Sequence, residues 1–366
     1  MGAIGSSPPG DKDAPMATAH VKQPLLLQRV FGCNYKSRKI GGSLIVLADC
    51  VEWLSRVPPD SIDAVVTDPP YGIKEYEVAE IERMKKGGAG IWRIPPNFDG
   101  NARAPLPRFT ALDGGERETL RQFFCGWGEL VRVAMKPGAH LFVACNAFMS
   151  QLVFSCLIDA GLEFRTQIIR RVQTLRGGDR PKLAEDEFPQ VCSLPRGCYE
   201  PWGLFRKPLP KGMTVRQCLR EFGTGGLRRL PDGKPFCDVI QSERTPRRER
   251  DIAEHPSLKP QSWMRQMVYA SLPLGTGVVL DPFMGAGTTI AAAEAIGYTS
   301  IGIERYADYF ALAAKVIRPL AQIKTNIDAS VAAAAHQSMQ RPGAAARGGG
   351  VPIRRGKAGL GKVGLP

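Results

Sequence analysis

The stretch Val278-Val279-Leu280-Asp281-Pro282-Phe283-Met284-Gly285-Ala286-Gly287-Thr288 decides the fold. An apolar strand ends at Asp281, a Gly-rich turn follows, and an Ala-rich helix opens at Thr288. Glycines in such a turn let the backbone approach a ligand closely, and the helix N-terminus offers unpaired N–H groups to an anion. Glu304 ends the next strand, 19 residues after Gly285, where an acid is placed to hold a ribose diol. Residue 290 is Ile, so the third small residue of the dinucleotide fingerprint is missing. A nucleoside cofactor without a pyrophosphate fits better. The alternative is a tight strand–helix turn that holds no ligand.

Outward from this turn, short apolar runs recur at Ser43–Ala48, Asp63–Thr67, His140–Cys145 and Thr299–Ile303. Runs that are apolar on both faces suit a central parallel sheet. Between them lie helical patterns. Glu116–Met135 carries Leu120, Phe123, Phe124, Trp127, Leu130, Val131 and Ala134 near the spacing of an amphipathic helix, with Pro137-Gly138 as its stop. Thr288–Ile296 and Ala307–Ile317 read as further helices. The alternation predicts a doubly wound, Rossmann-like α/β fold. Residues 74–113 and 173–255 break it and read as insertions leaving the sheet on the side of the motifs. Residues 1–22 read as a disordered leader, 23–325 as the folded domain, and 326–366 as a disordered basic tail.

A second motif, Asp68-Pro69-Pro70-Tyr71, follows the strand Ala64-Val65-Val66-Thr67. Asp68 is an acceptor. Pro70 restricts the residue before it, which holds the Pro69 carbonyl in a fixed, extended direction. Two acceptors beside the face of Tyr71 make a site for an NH2 group on a planar ring. The alternative is a structural Pro-Pro turn.

Together these motifs resemble those of the site-specific DNA amino-methyltransferases, whose catalytic tetrapeptide is DPPY and whose cofactor motif is FxGxG. The order here, DPPY (68–71) before FMGAG (283–287), resembles the permuted beta group. Ala48-Asp49-Cys50, Val131–Leu141 and His255-Pro256-Ser257-Leu258-Lys259-Pro260 are similar to three further family segments, with Leu258 where the family has Gln. The resemblance implies S-adenosylmethionine as cofactor and no metal. It implies that Gly285, Gly287 and Thr288 hold the methionine part beside Asp281 and Phe283, and that Glu304 holds the ribose. Asp49 is expected near the cofactor adenine, with Lys259 and Pro260 at its edge. Asp68, Pro69, Pro70 and Tyr71 are expected to receive a base flipped out of double-stranded DNA. Asp at the head of the tetrapeptide favours adenine over cytosine in this family. The stretch 173–255 falls where the family keeps its target-recognition region, and a restriction endonuclease partner is a further family expectation. A methyltransferase acting on RNA or on protein glutamine has the opposite motif order. A catalytically inactive DNA-binding protein is the reading from another class.

Charge agrees with a polyanion partner. The chain of 366 residues carries +14, of which residues 165–255 contribute +7 and residues 324–366 +6. Arg170-Arg171, Arg228-Arg229 and Arg247-Arg248 are candidate phosphate contacts. The stretch Leu141–Leu162 is too interrupted by polar residues to span a membrane and reads as a strand running into a helix. Nine scattered cysteines without a visible secretory signal suggest free thiols and a cytoplasmic protein; a monomer or homodimer is expected.

Overall fold

The computed structural model describes residues 31–328 apart from 33, 71–113, 173–185, 193, 194, 196 and 256. The leader, the 74–113 stretch and everything after 328 lie outside the described residues.

The strands are β1 (Lys36–Ile40), β2 (Ser43–Leu47), β3 (Ile62–Thr67), β4 (Met135–Ala144), β5 (Glu163–Arg171), β6 (Tyr199–Arg206), β7 (Val239–Gln241), β8 (Val278–Asp281) and β9 (Thr299–Glu304). They form one sheet in the order β1-β2-β9-β8-β3-β4-β6-β5-β7. The five strands from β2 to β4 are all parallel. The helices are α1 (Cys50–Leu54), α2 (Gly114–Ala134), α3 (Ser150–Asp159), α4 (Val215–Glu221), α5 (Arg247–Ile252), α6 (Gln261–Ser271), α7 (Thr288–Ala295) and α8 (Ala307–Ala321).

Alternation along each central strand sorts side chains to two faces. Val65, Leu141, Val143 and Leu280 pack with Trp53, Phe124, Trp127 and Leu157 of α1, α2 and α3. Ala64, Phe142, Ala144 and Val279 pack with Trp263, Met267 and Ala292 of α6 and α7. A third cluster beneath α8 joins Ile45, Ile290, Phe310 and Ile317. Both faces are therefore covered, as a parallel sheet requires. Among the described residues, no helix is long and apolar enough to cross a membrane.

The doubly wound expectation holds, with three corrections. Helix α2 ends at Ala134, before Pro137-Gly138, and β4 begins at once at Met135. Gly138 at φ +75° lies inside β4, where its N–H donates to the Lys207 carbonyl. The stretch 173–255 is no insertion throughout, because it supplies β6, which runs antiparallel between β4 and β5. It contains Gly203. In the fold it makes room for aromatic rings, since a Cβ there would lie 2.5 Å from the Phe205 ring and 2.8 Å from that of Phe154. Finally, residues 326–328 belong to the folded body. Ile327 is buried, and the Asp328 carboxylate pairs with the buried guanidinium of Arg265.

Gly287 is the N-cap of α7 at φ +81°, and a Cβ on it would come 2.6 Å from Ile317 of α8. Gly287→Ala therefore combines a left-handed backbone with a clash. It should destabilise the fold by about 2–4 kcal/mol, measured as a shift in the denaturant midpoint.

His140 on β4 is buried. Desolvation, helped by Arg206 and Arg165, pushes its pKa down to about 3. The unfolded chain therefore takes up the proton first, and stability is lost as pH falls from 6.5 toward 3. Between pH 7.5 and 5 this group should cost about 2 kcal/mol. His140→Gln should shrink the pH-dependent loss in unfolding free energy by that amount.

Candidate active site at the β3–β8 seam

From the seam between β3 and β8 the chain winds outward in opposite directions, to β4 on one side and to β9 on the other. Such a switch point opens a crevice at the carboxyl ends of the strands. Thr67, the last residue of β3, donates from Oγ1 to Oδ1 of Asp281, the last residue of β8, at 2.7 Å. The same Asp281 oxygen accepts from the Phe283 N–H at 3.1 Å. Burial pushes the Asp281 carboxyl up to about 6 against these hydrogen bonds. One buried carboxylate thus joins the two motifs.

Beyond Asp281 the turn is held by backbone. Met284 N–H donates to the Ile303 carbonyl at 3.0 Å, and Gly287 N–H to that of Met284 at 2.7 Å. Gly285 takes φ +51°, and its N–H donates to Glu304 Oε2 at 3.0 Å. Glu304 Oε1 accepts from Tyr306 N–H at 2.8 Å. Burial raises the Glu304 pKa, with those N–H groups opposing. The Phe283 ring lies 5.4 Å from that of Trp127 on α2. Thr288 opens α7, and its carbonyl accepts from Gln261 Nε2 at 3.0 Å. On the far side of β9, Ala48 N–H donates to the Glu304 carbonyl, which brings Asp49 to the same edge. Asp49 caps α1 through the N–H groups of Val51 and Glu52. Asp49, Asp281, Phe283, Gly285, Gly287, Thr288 and Glu304 therefore meet at the carboxyl ends of three neighbouring strands. Gly287 serves helix packing there, because its Cα faces α8.

Pro69 is buried and Pro70 exposed; Tyr71 and Pro256 lie outside the described residues. The other described residues of the 255–260 segment bridge the motifs. His255 sits over the Gly-rich turn, so that a Cβ on Gly285 would lie 3.0 Å from its Nε2. Burial lowers the His255 pKa. Leu258 is buried with Met284 and Ile290, so the departure from Gln adds to the core. Pro260 caps α6.

The Lys259 ammonium donates to Asp68 Oδ2 and stands 3.7 Å from Glu200 Oε1. Burial opposes its charge, but the Asp68 and Glu200 carboxylates outweigh it and raise the Lys259 pKa. The segment that the resemblance set beside the cofactor thus also touches Asp68 at the head of the second motif.

Glu200 belongs to none of the sequence motifs, and Arg170 differs from the phosphate contact that its pairing with Arg171 predicts. Arg170 is buried, not a phosphate contact, and donates to Glu200 Oε2 at 3.0 Å, Ser242 Oγ at 3.0 Å and the Glu243 carbonyl at 2.9 Å. The available signal for Glu200 is a lone acid directly ahead of the apolar run Pro201–Phe205. Arg228 is likewise engaged, with Tyr298 and over the Tyr269 ring. Arg171, Arg229, Arg247 and Arg248 remain exposed.

A family model described as DNA methylase (N6_N4_Mtase) matches residues 62–315. The Type II methyltransferase M2.LlaDCHI of Lactococcus lactis subsp. cremoris is 23% identical over 277 residues, 75% of this chain and 88% of that protein. The solved structure of PvuII DNA methyltransferase (cytosine-N4-specific) aligns with a TM-score of 0.49 at 17% identity, covering 82% of this chain and 96% of that one. The M1.HpyAVI–SAM complex aligns with a TM-score of 0.43 at 16% identity, covering 75% and 98%. The matched family segment runs from β3 into α8 and contains the seam, the Gly-rich turn and the Lys259 bridge, and the chain belongs to the DNA methylase family.

Proposed function

We propose that this methylase transfers a methyl group from S-adenosylmethionine to the exocyclic amino group of adenine at specific sites in double-stranded DNA. The observation that carries the reading is the seam itself, where Asp68 and the Gly-rich turn are brought side by side by the Thr67–Asp281 hydrogen bond. The donor set fits a nucleoside sulfonium. Asp49 and Glu304 end or follow adjacent strands as acceptors for hydroxyl and amino groups. The half-buried Phe283 and Gly285 lie between them and the seam. Bound there, S-adenosylmethionine supplies an electrophilic methyl group on sulfur.

The chain's own residues do the rest. An amino group on an aromatic base shares its lone pair with the ring and is a poor nucleophile. Asp68 and the Pro69 carbonyl accept its two N–H bonds and draw the nitrogen toward tetrahedral, which frees the lone pair. Tyr71 stacks on the base, whose extrusion from the duplex costs a few kcal/mol. Positioning of this kind is worth about 7–11 kcal/mol. The stretch 173–255 is the target-recognition region in this reading, with the exposed Arg171, Arg247 and Arg248 on phosphates. A restriction endonuclease of the same specificity is its partner in the cell. The same reaction on the cytosine amino group is the second reading; Asp68 at the head of the tetrapeptide favours adenine.

Digestion of DNA methylated by the purified protein, followed by nucleoside analysis, tests both readings. N6-methyladenine is the expected product, N4-methylcytosine overturns the choice of base, and no methylated nucleoside overturns the function. Asp68→Ala should slow single-turnover methyl transfer by ~100-fold or more, the magnitude for one transition-state hydrogen bond. Affinity for S-adenosylmethionine, measured by calorimetry, should change little, because that loss falls on the transition state.

A further inference from the structure

The seat of Lys259 on Asp68 poses a problem for the function proposed above, on which this inference rests. The Asp68 carboxylate that an incoming amino group needs already accepts from an ammonium at Oδ2. A charge-assisted bond of that kind is stronger than one from a neutral amine. During methyl transfer the amino nitrogen becomes positive, and a second cation on the same carboxylate opposes it. Lys259 must therefore move aside, yet its side chain is only 14% exposed. A buried ammonium without a partner is strongly disfavoured.

Glu200 answers this. Its Oε1 lies 3.7 Å from the Lys259 nitrogen. The carboxylate cannot turn away, because Oε1 accepts from Trp202 Nε1 at 2.7 Å and Oε2 from Arg170 Nη1 at 3.0 Å. Arg170 is fixed in turn by Ser242 and Glu243 and lies over the Trp263 ring. The lysine has a flexible four-carbon stem and three donors, so it is the member free to shift. We propose that Glu200 is a positioning residue for methyl transfer: it is the second seat of the Lys259 ammonium, which occupies the place on Asp68 that the target amino group takes.

The test is a double-mutant cycle. Single-turnover methyl transfer to duplex DNA, with cofactor affinity measured in parallel, compares the full-length wild type with Glu200→Gln, Lys259→Met and the double variant. Without its second seat Lys259 stays on Asp68, so Glu200→Gln should lower the rate tenfold or more while cofactor affinity stays within twofold. Adding Lys259→Met removes the competitor, so the double variant should be at least threefold faster than Glu200→Gln alone. A structural role for Glu200 predicts no such recovery. A Glu200→Gln rate within threefold of wild type, or a double variant no faster than Glu200→Gln, overturns the inference.

If Glu200→Gln fails to fold, Lys259→Met alone decides. The groups facing the pair are Glu200 from β6, Arg170 from β5, Cys145 just after β4, Asp281 from β8 and His255 beside Lys259. Loss of the cation between Asp68 and Glu200 should move the acid limb of the pH–rate profile to higher pH. An unmoved limb overturns the inference. A wild-type chain that methylates no DNA overturns the functional reading as a whole. An active wild type with an additive cycle overturns this inference alone.

Discussion

The hydrogen bond between Thr67 and Asp281 is buried, and the site depends on it. It joins residues 214 positions apart at the seam where the sheet changes its direction of winding. Burial of the Asp281 carboxylate is unfavourable, as its raised pKa shows, and is offset by hydrogen bonds that also fix the start of the Gly-rich turn. The opposite end of the seam has the same construction. Asp63 on β3 accepts from Lys136 Nζ at 2.7 Å and from Val278 N–H at 2.8 Å. A carboxylate at each end thus holds β3 against β8, so the tetrapeptide and the turn start from a common, fixed edge.

On that edge the sheet separates two kinds of polar group. Glu304 and Asp49 are tied to backbone N–H groups, which satisfies part of each carboxylate and aims the remainder. Asp68, Lys259, Glu200 and Arg170 instead form a chain of alternating charge running from β3 to β5. A network of this kind is strong only when every member is satisfied. Strand β6 makes it possible, since its antiparallel placement beside β4 brings Glu200 to the carboxyl edge of a parallel sheet. The partners of Arg170 at Ser242 and Glu243 follow β7, so residues of the stretch 173–255 connect to Asp68 through Arg170, Glu200 and Lys259.

Much of this was legible in the sequence. The strand–turn–helix around Gly285, the Asp-Pro-Pro sequence that ends β3 and the apolar spacing of α2 are local patterns, and local sterics determine them. Strands β5 and β6 were not legible. Arg170 has the look of a phosphate contact until its partner Glu200 is known, and nothing local shows that Arg206 pairs with Glu163 or that two phenylalanine rings fill the place beside Gly203.

Residue types, their spacing and their place at strand ends were enough to determine the doubly wound fold class and the residues at its carboxyl edge. Tertiary structure alone decided their pairings: that Lys259 meets Asp68 across 191 positions, that Gly287 serves α8, and that Arg170 faces Glu200 inside the protein. The physical reason is that an ionic or packing contact is set by distance and burial. Neither is defined along a chain until the strands that carry the two partners have found their order in the sheet.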